Sequence, residues 1–440
     1  MIKQINKEIE DDKKYNFPNN IHIVEYDGKF IVIAVETGNW MVFESQSQVD
    51  FFKLLKKNNI KDAINLAQCP QNDIVEVIKQ IEARQFECLD VLRSEMPLAL
   101  HFHLTNACNM KCPMCYMIAG RKEDKELSTN EVTKILEDFS AEGGKVVTFT
   151  GGEITTRKDL YQIVKCASKN LRVELLSNGT LWTDQMIEEF SPLIDKLQIS
   201  IDGYSEETNA KVRGKGNFEQ ALLTVDKFVH HNVYTEVAMT PYFDDSYRNN
   251  YLRYAEFGKK LYEKYSNFKF KVKFSGVLLD GRERRFSDSE KEEYNLIAEK
   301  IYESIFGNVN DYQFINFHKN HGIQDVCNYG NLTITSTGDI YLCPQIPEIS
   351  KISNIRTSDI HELIQLAKKA KQVANVDNIY PCKNCELKFI CGGDCRIKFF
   401  PELRNFKEYL SGKIPCRKCD FSVKEKFYKL MIKYNSAIFQ

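Results

Sequence analysis

Strand-like and helix-like apolar patterns alternate through the middle of the chain, from residue 98 to about 306. Short apolar runs predict six β-strands, at 98–105, 145–150, 172–177, 197–202, 234–240 and 270–279. Apolar residues at helical spacing predict amphipathic helices near 129–142, 158–169, 183–193, 217–231, 247–265 and 288–305. Strands that alternate with helices form a parallel sheet, and ligands bind at the carboxyl ends of its strands. The pattern therefore predicts an α/β domain.

The region before this domain has a different pattern. Strand-like runs occur at 21–26, 30–35 and 41–43, and helical patterns follow at 47–55, 60–67 and 73–86. Asp27 and Gly28, between the first two runs, are typical of a tight β-hairpin. We expect a small α+β unit here.

Composition narrows the possible functions. The chain has 440 residues, which is enough for two or three domains. Its formal net charge of −1 argues against a general nucleic-acid or membrane-surface binder. Residues 1–14 lack the apolar core of a signal peptide, and no run is apolar enough to cross a membrane, so we expect a cytoplasmic protein. The 14 cysteines then indicate metal binding rather than disulfides.

Three cysteines follow the first predicted strand of the α/β domain. Cys108, Cys112 and Cys115 have the spacing C-x3-C-x2-C. Three thiolates this close in sequence can hold one metal centre, and a cubane of four irons would keep one iron open for a ligand. A zinc knuckle or three buried thiols are the alternatives. The second predicted strand ends in a second motif, Gly151-Gly152-Glu153.

This combination resembles the radical S-adenosylmethionine (SAM) enzymes. The cluster motif of that family is C-x3-C-x-Φ-C with an aromatic Φ, and Met114 stands at this place here. The resemblance implies a partial (β/α)6 TIM-like barrel, a 4Fe–4S cluster and SAM bound at its open iron. It also implies that Met114 contacts adenine, that Tyr116 lies at the cofactor, and that Gly151, Gly152 and Glu153 bind the amino group of SAM.

The same resemblance assigns further cofactor-binding residues at the strand ends. Ser177, Asn178, Ser200 and Asp202 are expected at the ribose, Arg213 at the SAM carboxylate and Leu278 at adenine. On their own, such residues are common where strands turn, and an arginine at position 213 could equally be an ordinary surface residue. No acid or base stands out as a catalytic residue.

Eight more cysteines lie near the C-terminus, at Cys327, Cys343, Cys382, Cys385, Cys391, Cys395, Cys416 and Cys419. Their spacing resembles the SPASM extension of radical SAM enzymes, which implies two auxiliary 4Fe–4S clusters and three clusters in all. Residues 382, 385 and 391 would hold one cluster together with residue 416 or 419. Residues 327, 343 and 395 would hold the other.

The fourth ligand of that other cluster stays open. It could be an open iron, residue 416 or 419, or a residue such as His321. The alternative for the whole region is a four-cysteine zinc ribbon made by residues 382, 385, 416 and 419.

The resemblance also implies a function. SPASM enzymes mostly modify peptides, and the N-terminal pattern resembles winged-helix-like domains that bind a leader peptide as an added strand. We expect a leader-recognition domain at 1–92, a radical SAM barrel at 93–310 and a loop-rich SPASM domain at 311–440. Such an enzyme would cross-link a ribosomally made precursor peptide.

A thioether is favoured over a carbon–carbon bond, because an open auxiliary iron could bind the donor cysteine. The expected partners are the precursor peptide and a reducing electron donor such as flavodoxin or ferredoxin. An anaerobic sulfatase maturase that forms formylglycine, and a non-catalytic iron–sulfur or leader-binding protein, are the alternatives.

Overall fold

The chain forms two compact units. The structure is a computed structural model that describes residues 12–87, 97–306, 327, 329–345, 350–393, 395–396, 419 and 421–435. The barrel unit comprises Met96–Val309 and Asn328–Lys371. The terminal unit brings together Met1–Glu95, Asn310–Cys327 and Gln372–Gln440.

The N-terminal part of the terminal unit is an antiparallel sheet followed by three helices. Its strands are β1 (Ile21–Tyr26), β2 (Lys29–Ala34) and β3 (Asn39–Phe43), and its helices are α1 (Gln46–Leu55), α2 (Ile60–Leu66) and α3 (Gln71–Ala83). The sheet order is β1-β2-β3. Asp27 and Gly28 have φ angles of 51° and 71°, as the two central residues of a type I′ hairpin require.

Parallel strands in chain order build the barrel unit. They are β4 (Ala99–His103), β5 (Val146–Thr150), β6 (Arg172–Ser177), β7 (Lys196–Ser200), β8 (Tyr234–Met239) and β9 (Phe270–Phe274). The helices are α4 (Thr129–Ala141), α5 (Leu160–Ala167), α6 (Asp184–Phe190), α7 (Glu206–Arg213), α8 (Phe218–His230), α9 (Asp245–Lys264) and α10 (Asp288–Phe306). This is the predicted parallel α/β fold.

Three short strands extend the same sheet past β4. They are β10 (Leu332–Ile334), β11 (Asp339–Tyr341) and β12 (Lys351–Asn354), and helix α11 (Ile360–Val373) follows them. Strand β10 pairs parallel to β4, whereas β11 and β12 continue antiparallel.

The two faces of the barrel sheet differ in polarity. Leu100, Phe102, Val147 and Phe149 are fully buried on one face, and such a face suits the apolar sides of the helices. On the other face the strand register places polar side chains beside one another. These residues are His101, Thr148, Glu174 and Lys196, followed by Gln198, Glu236 and Lys271.

The C-terminal segment packs back onto the N-terminal sheet within the terminal unit. Helix α12 (Lys388–Cys391), the preceding Leu387 and helix α13 (Phe421–Tyr434) share a core with the sheet. This core contains Leu387, Ile390, Tyr428 and Met431 together with Ile31, Ile33, Trp40 and Val42. The opposite face of the sheet packs on α1 to α3. The two compact units therefore do not coincide with the three domains that were predicted in chain order. The functions assigned to those domains stay predictions.

Across the described ranges, no helix is both long and apolar enough to span a lipid bilayer.

Candidate functional site

The loop that carries the first three cysteines leaves β4 and closes on itself. Cys108 donates its N–H to the carbonyl of Gly120 at 3.1 Å, and Gly120 donates to Asn106 at 2.9 Å. The N–H of Met110 points at the Cys108 sulfur at 3.4 Å. Backbone bonds at both ends thus fix the loop, which presents Cys108, Cys112 and Cys115 as half-buried thiols.

Two side chains that the sequence did not single out hold this loop. The Glu126 carboxylate accepts bonds from the Asn106 N–H at 2.7 Å and from the Thr105 hydroxyl at 3.0 Å. Arg282, in the segment after β9, donates to the carbonyls of Cys112 and Ala119. The only sequence signal for either residue was its position near a motif.

The segment after β9 also contains Leu278, which was expected at adenine. Leu278 is buried, and Gly281 lies so close to the cluster loop that a Cβ there would be 2.6 Å from the Cα of Met114. This segment therefore supports the loop from one side. Met114 is half-buried and the Tyr116 side chain is 42% exposed.

The Gly-Gly-Glu motif crosses the same loop at close range. Gly152 donates its N–H to Thr105, and Glu153 donates to Ala107, each at 2.7 Å. A Cβ on Gly152 would lie 2.1 Å from the Ala107 carbonyl oxygen, and one on Gly151 would lie 2.4 Å from that of Thr105. Both glycines are needed because any side chain would push the loop away.

Glu153 connects this motif to the end of β6. Its carboxylate is buried and accepts bonds from the Ser177 hydroxyl at 2.8 Å and from the Asn178 N–H at 2.6 Å. The structure thus brings together three residues that the sequence assigned to SAM. Ser177 and Asn178 already have protein partners, so their contact with a ribose stays a prediction, as does that of the half-buried Ser200.

Asp202 and Arg213 form a buried ion pair. The Arg213 Nε donates to Asp202 at 2.6 Å, and the other Asp202 oxygen accepts the Thr240 N–H at 2.6 Å. Asp202 therefore orients Arg213, which ends helix α7. The two terminal nitrogens of the guanidinium remain for a carboxylate, which suits the predicted clamp on SAM.

The electrostatics of the loop that carries Cys108, Cys112 and Cys115 favour the protonated thiol over the free thiolate. Burial raises the pKa of both Cys108 and Cys112, so neither thiol ionises easily by itself. The positive charge of Arg213 acts in the opposite direction on Cys112. Iron would replace the proton and satisfy the thiolate, as the donor chemistry of three cysteines requires.

Two histidines, the half-buried His101 and the buried His103, lie on the polar face of β4. His103 is 2% exposed, and no hydrogen-bond partner for its Nδ1 occurs in the described part of the chain. Burial, and the charge of His101 after it, lowers the pKa of His103 to about 4, so its imidazole is neutral near pH 7. Alternation along a strand is the only sequence signal for this pair.

A second cysteine site lies in the terminal unit. Cys382, Cys385, Cys391 and Cys419 line one cavity of about 220 Å³, which has room for a group larger than a single ion. The cysteine lining fits the predicted cluster, and Cys419 is one of the two candidates for its late ligand. Cys416, the other candidate, lies outside the described residues, as does His321.

Of the three cysteines predicted to hold the other auxiliary cluster, two lie in one region of the structure. The N–H of Arg396 points at the Cys327 sulfur at 3.4 Å, which brings the neighbouring Cys395 into the same region of the terminal unit. Cys343 is buried in the barrel unit. A shared cluster for all three stays a prediction.

Part of the barrel unit is similar to known proteins. The profile of the Radical SAM superfamily matches residues 102–255. The sporulation killing factor maturation protein SkfB of Bacillus subtilis (strain 168) is 36% identical over 152 residues, which cover 34% of this chain and 37% of SkfB. The mycofactocin maturase MftC of Mycolicibacterium smegmatis is 33% identical over 135 residues, which cover 30% of this chain and 34% of MftC.

The chain thus spans about a third of the length of these curated relatives. Among solved structures, native anSMEcpe with bound AdoMet superposes with a TM-score of 0.55 at 15% identity, covering 78% of this chain and 99% of that one. At this identity the match supports the fold alone.

Proposed function

We propose that this protein is a peptide maturase that cross-links a ribosomally made precursor peptide, because residues 102–255 match the Radical SAM superfamily. The observation that carries the proposal is the similarity of this domain to SkfB and MftC, which are both maturation proteins by name. The second cysteine site supports it, since a chain that only cleaved SAM would need no further cluster. A thioether remains the favoured bond.

The residues of the barrel unit have separable tasks in this function. The cluster and SAM, when bound, supply a 5′-deoxyadenosyl radical that removes a hydrogen atom from the peptide. Cys108, Cys112 and Cys115 would hold the cluster, and Arg213 would fix the SAM carboxylate.

Peptide recognition by strand addition needs a sheet edge with open backbone groups, and the β3 edge has few. The outward N–H of Val42 is met by the Asn435 side chain at 3.2 Å and by Gln80 at 3.3 Å, and Asn435 also donates to the Val42 carbonyl at 3.4 Å. Two further N–H groups of this edge are capped in the same way, Trp40 by Asn39 and Glu44 by Gln48.

The β1 edge is the open one. Because Val42 faces outward from β3, the register of the sheet directs the N–H and C=O groups of Ile23 and Glu25 away from β2. No hydrogen bond from these backbone groups occurs within the described ranges. The leader peptide would add here, with apolar side chains beside the half-exposed Ile21 and Ile23.

Co-expression with a candidate precursor peptide tests the function. A short open reading frame beside the gene, especially one with repeated cysteines, supplies the peptide. We expect the peptide to lose about two hydrogens per cross-link, as a two-electron oxidation requires. The Cys112→Ala variant is the control and should leave the peptide unchanged. A formylglycine product, or methyl transfer from SAM, would contradict the proposal.

A further inference from the structure

A group of charges that is partly buried adjoins the second cysteine site. Glu386 follows Cys385 directly, and its side chain is 9% exposed. The Lys424 Nζ contacts both Glu386 oxygens at 2.9 Å, and the Tyr428 hydroxyl also donates to this carboxylate. Lys424 and Tyr428 lie one turn apart on α13, so both reach the same acceptor.

Lys424 also lines the cavity that the four cysteines surround. Its charge acts on the sulfurs of Cys385 and Cys419, which belong to different segments of that lining. An ammonium group has three N–H donors, and Glu386 accepts two of them. One donor and the positive charge therefore remain on the cavity side.

We propose that Lys424 sets the reduction potential of the cluster held by Cys382, Cys385, Cys391 and Cys419, with Glu386 and Tyr428 as positioning residues. The inference rests on the proposed function, because it requires that this cavity holds a 4Fe–4S cluster. Uptake of one electron makes a thiolate-ligated cluster more negative by one charge. A fixed ammonium beside it stabilises the reduced form more than the oxidised form and raises the potential.

Glu386 has the opposite sign and moderates this effect. Its carboxylate neutralises part of the Lys424 charge, and the Tyr428 hydroxyl draws part of the carboxylate charge away from the ammonium. Loss of Lys424 would leave Glu386 beside the cluster without its cation. Loss of the Glu386 charge would leave Lys424 facing the cluster alone.

The test is a redox titration of the full-length, anaerobically reconstituted protein, followed by electron paramagnetic resonance. We expect Lys424→Met to lower the ratio of reduced to oxidised second-site cluster roughly tenfold at a fixed poise. Glu386→Gln should raise this ratio, and Tyr428→Phe should change it less than either.

Lys429→Met is the matched control, because Lys429 lies on the same helix and pairs with Glu425 at the surface. Equal titrations for Lys424→Met and Lys429→Met would overturn the inference, as would a lower ratio in Glu386→Gln. The glutamine and phenylalanine variants provide the test if the methionine variant does not fold. Iron analysis distinguishes this inference from the proposed function, since absence of this cluster from the wild type would overturn the role of Lys424, whereas the peptide product tests the proposed function by itself.

Discussion

The Arg213 guanidinium is bonded to the protein through one nitrogen, and its other two nitrogens are predicted to bind a ligand. Its Nε is held by Asp202, and burial makes an anion beside the other nitrogens favourable for its charge. We expect Arg213→Gln to weaken SAM binding about tenfold or more, because a charged hydrogen bond contributes about 1.5–3 kcal/mol. Equilibrium dialysis of SAM against the reconstituted protein measures this.

Lys211 supplies the control for Arg213. It lies on the same helix, and its pair with Asp244 is largely at the surface. Lys211→Gln should bind SAM as the wild type does. Equal affinity for SAM in the Arg213→Gln variant would show that the arginine serves only to pair with Asp202.

His103 makes a separate prediction about pH. Its pKa is about 4 in the folded protein against 6.5 for an ordinary histidine. Between these values the unfolded chain binds a proton that the folded protein does not, so stability falls as the pH falls through this window. We expect His103→Gln to remove part of this loss, by at most about 1.4 kcal/mol per pH unit.

Melting temperatures at pH 5 and pH 7 measure the effect of His103 on stability. The difference between the two temperatures should be smaller in the variant than in the wild type. His22, which is exposed on β1, provides the control substitution His22→Gln. An unchanged difference in the His103 variant would mean that this imidazole is solvated or paired in solution.

At the scale of elements, the two edges of the N-terminal sheet predict opposite outcomes. Ile23→Pro removes an outward N–H from β1, where proline is tolerated on an edge strand. We expect the affinity for a labelled precursor peptide to fall about tenfold, whereas Asn435→Ala on the β3 edge should leave it unchanged. Fluorescence anisotropy measures the affinity, and SAM cleavage without peptide checks the fold.

Two other outcomes would contradict addition of the peptide to β1. If Asn435→Ala tightens binding and Ile23→Pro has no effect, the peptide adds to β3 and Asn435 competes with it. No change in either variant would exclude strand addition to this sheet.

Elements were predictable where an apolar pattern existed. Strand β6 has the predicted bounds, and the other barrel strands lie within their predicted runs or differ by a residue or two at the ends; β9 stops at Phe274, earlier than expected. Helix α7 was missed because its buried residues are Thr208, Asn209 and Val212, which give no apolar stripe. Arg213 could nevertheless be predicted as a site residue, since its motif is visible without the helix.

At the scale of the whole molecule, the sequence could not reveal which segments pack together. Strands β2 and β3 are apolar at consecutive positions because both faces of the sheet are covered, one by α1 to α3 and one by α12 and α13. Consecutive apolar residues do signal a sheet buried on both faces, but they do not identify the covering segment. The second cysteine site thus shares a core with the N-terminal sheet, although more than 300 residues separate them.

The last prediction concerns the number of clusters. Three 4Fe–4S clusters correspond to about twelve irons per chain. The barrel-unit cysteines and the second site belong to different compact units, so we expect their metal contents to be independent. Cys382→Ala with Cys385→Ala should remove about four irons and keep SAM cleavage, whereas Cys112→Ala should remove about four irons and abolish it.

Cys166→Ala provides the control, because that half-buried thiol contacts Glu137 and belongs to neither site. It should keep all the iron. Metal analysis of the anaerobically purified protein distinguishes the remaining alternative, since a zinc ribbon would give one zinc per chain that disappears with Cys382 and Cys385. Zinc in that amount would contradict both the second cluster and the role of Lys424. Loss of about four irons without any zinc from the variant that lacks Cys382 and Cys385 would support the second cluster.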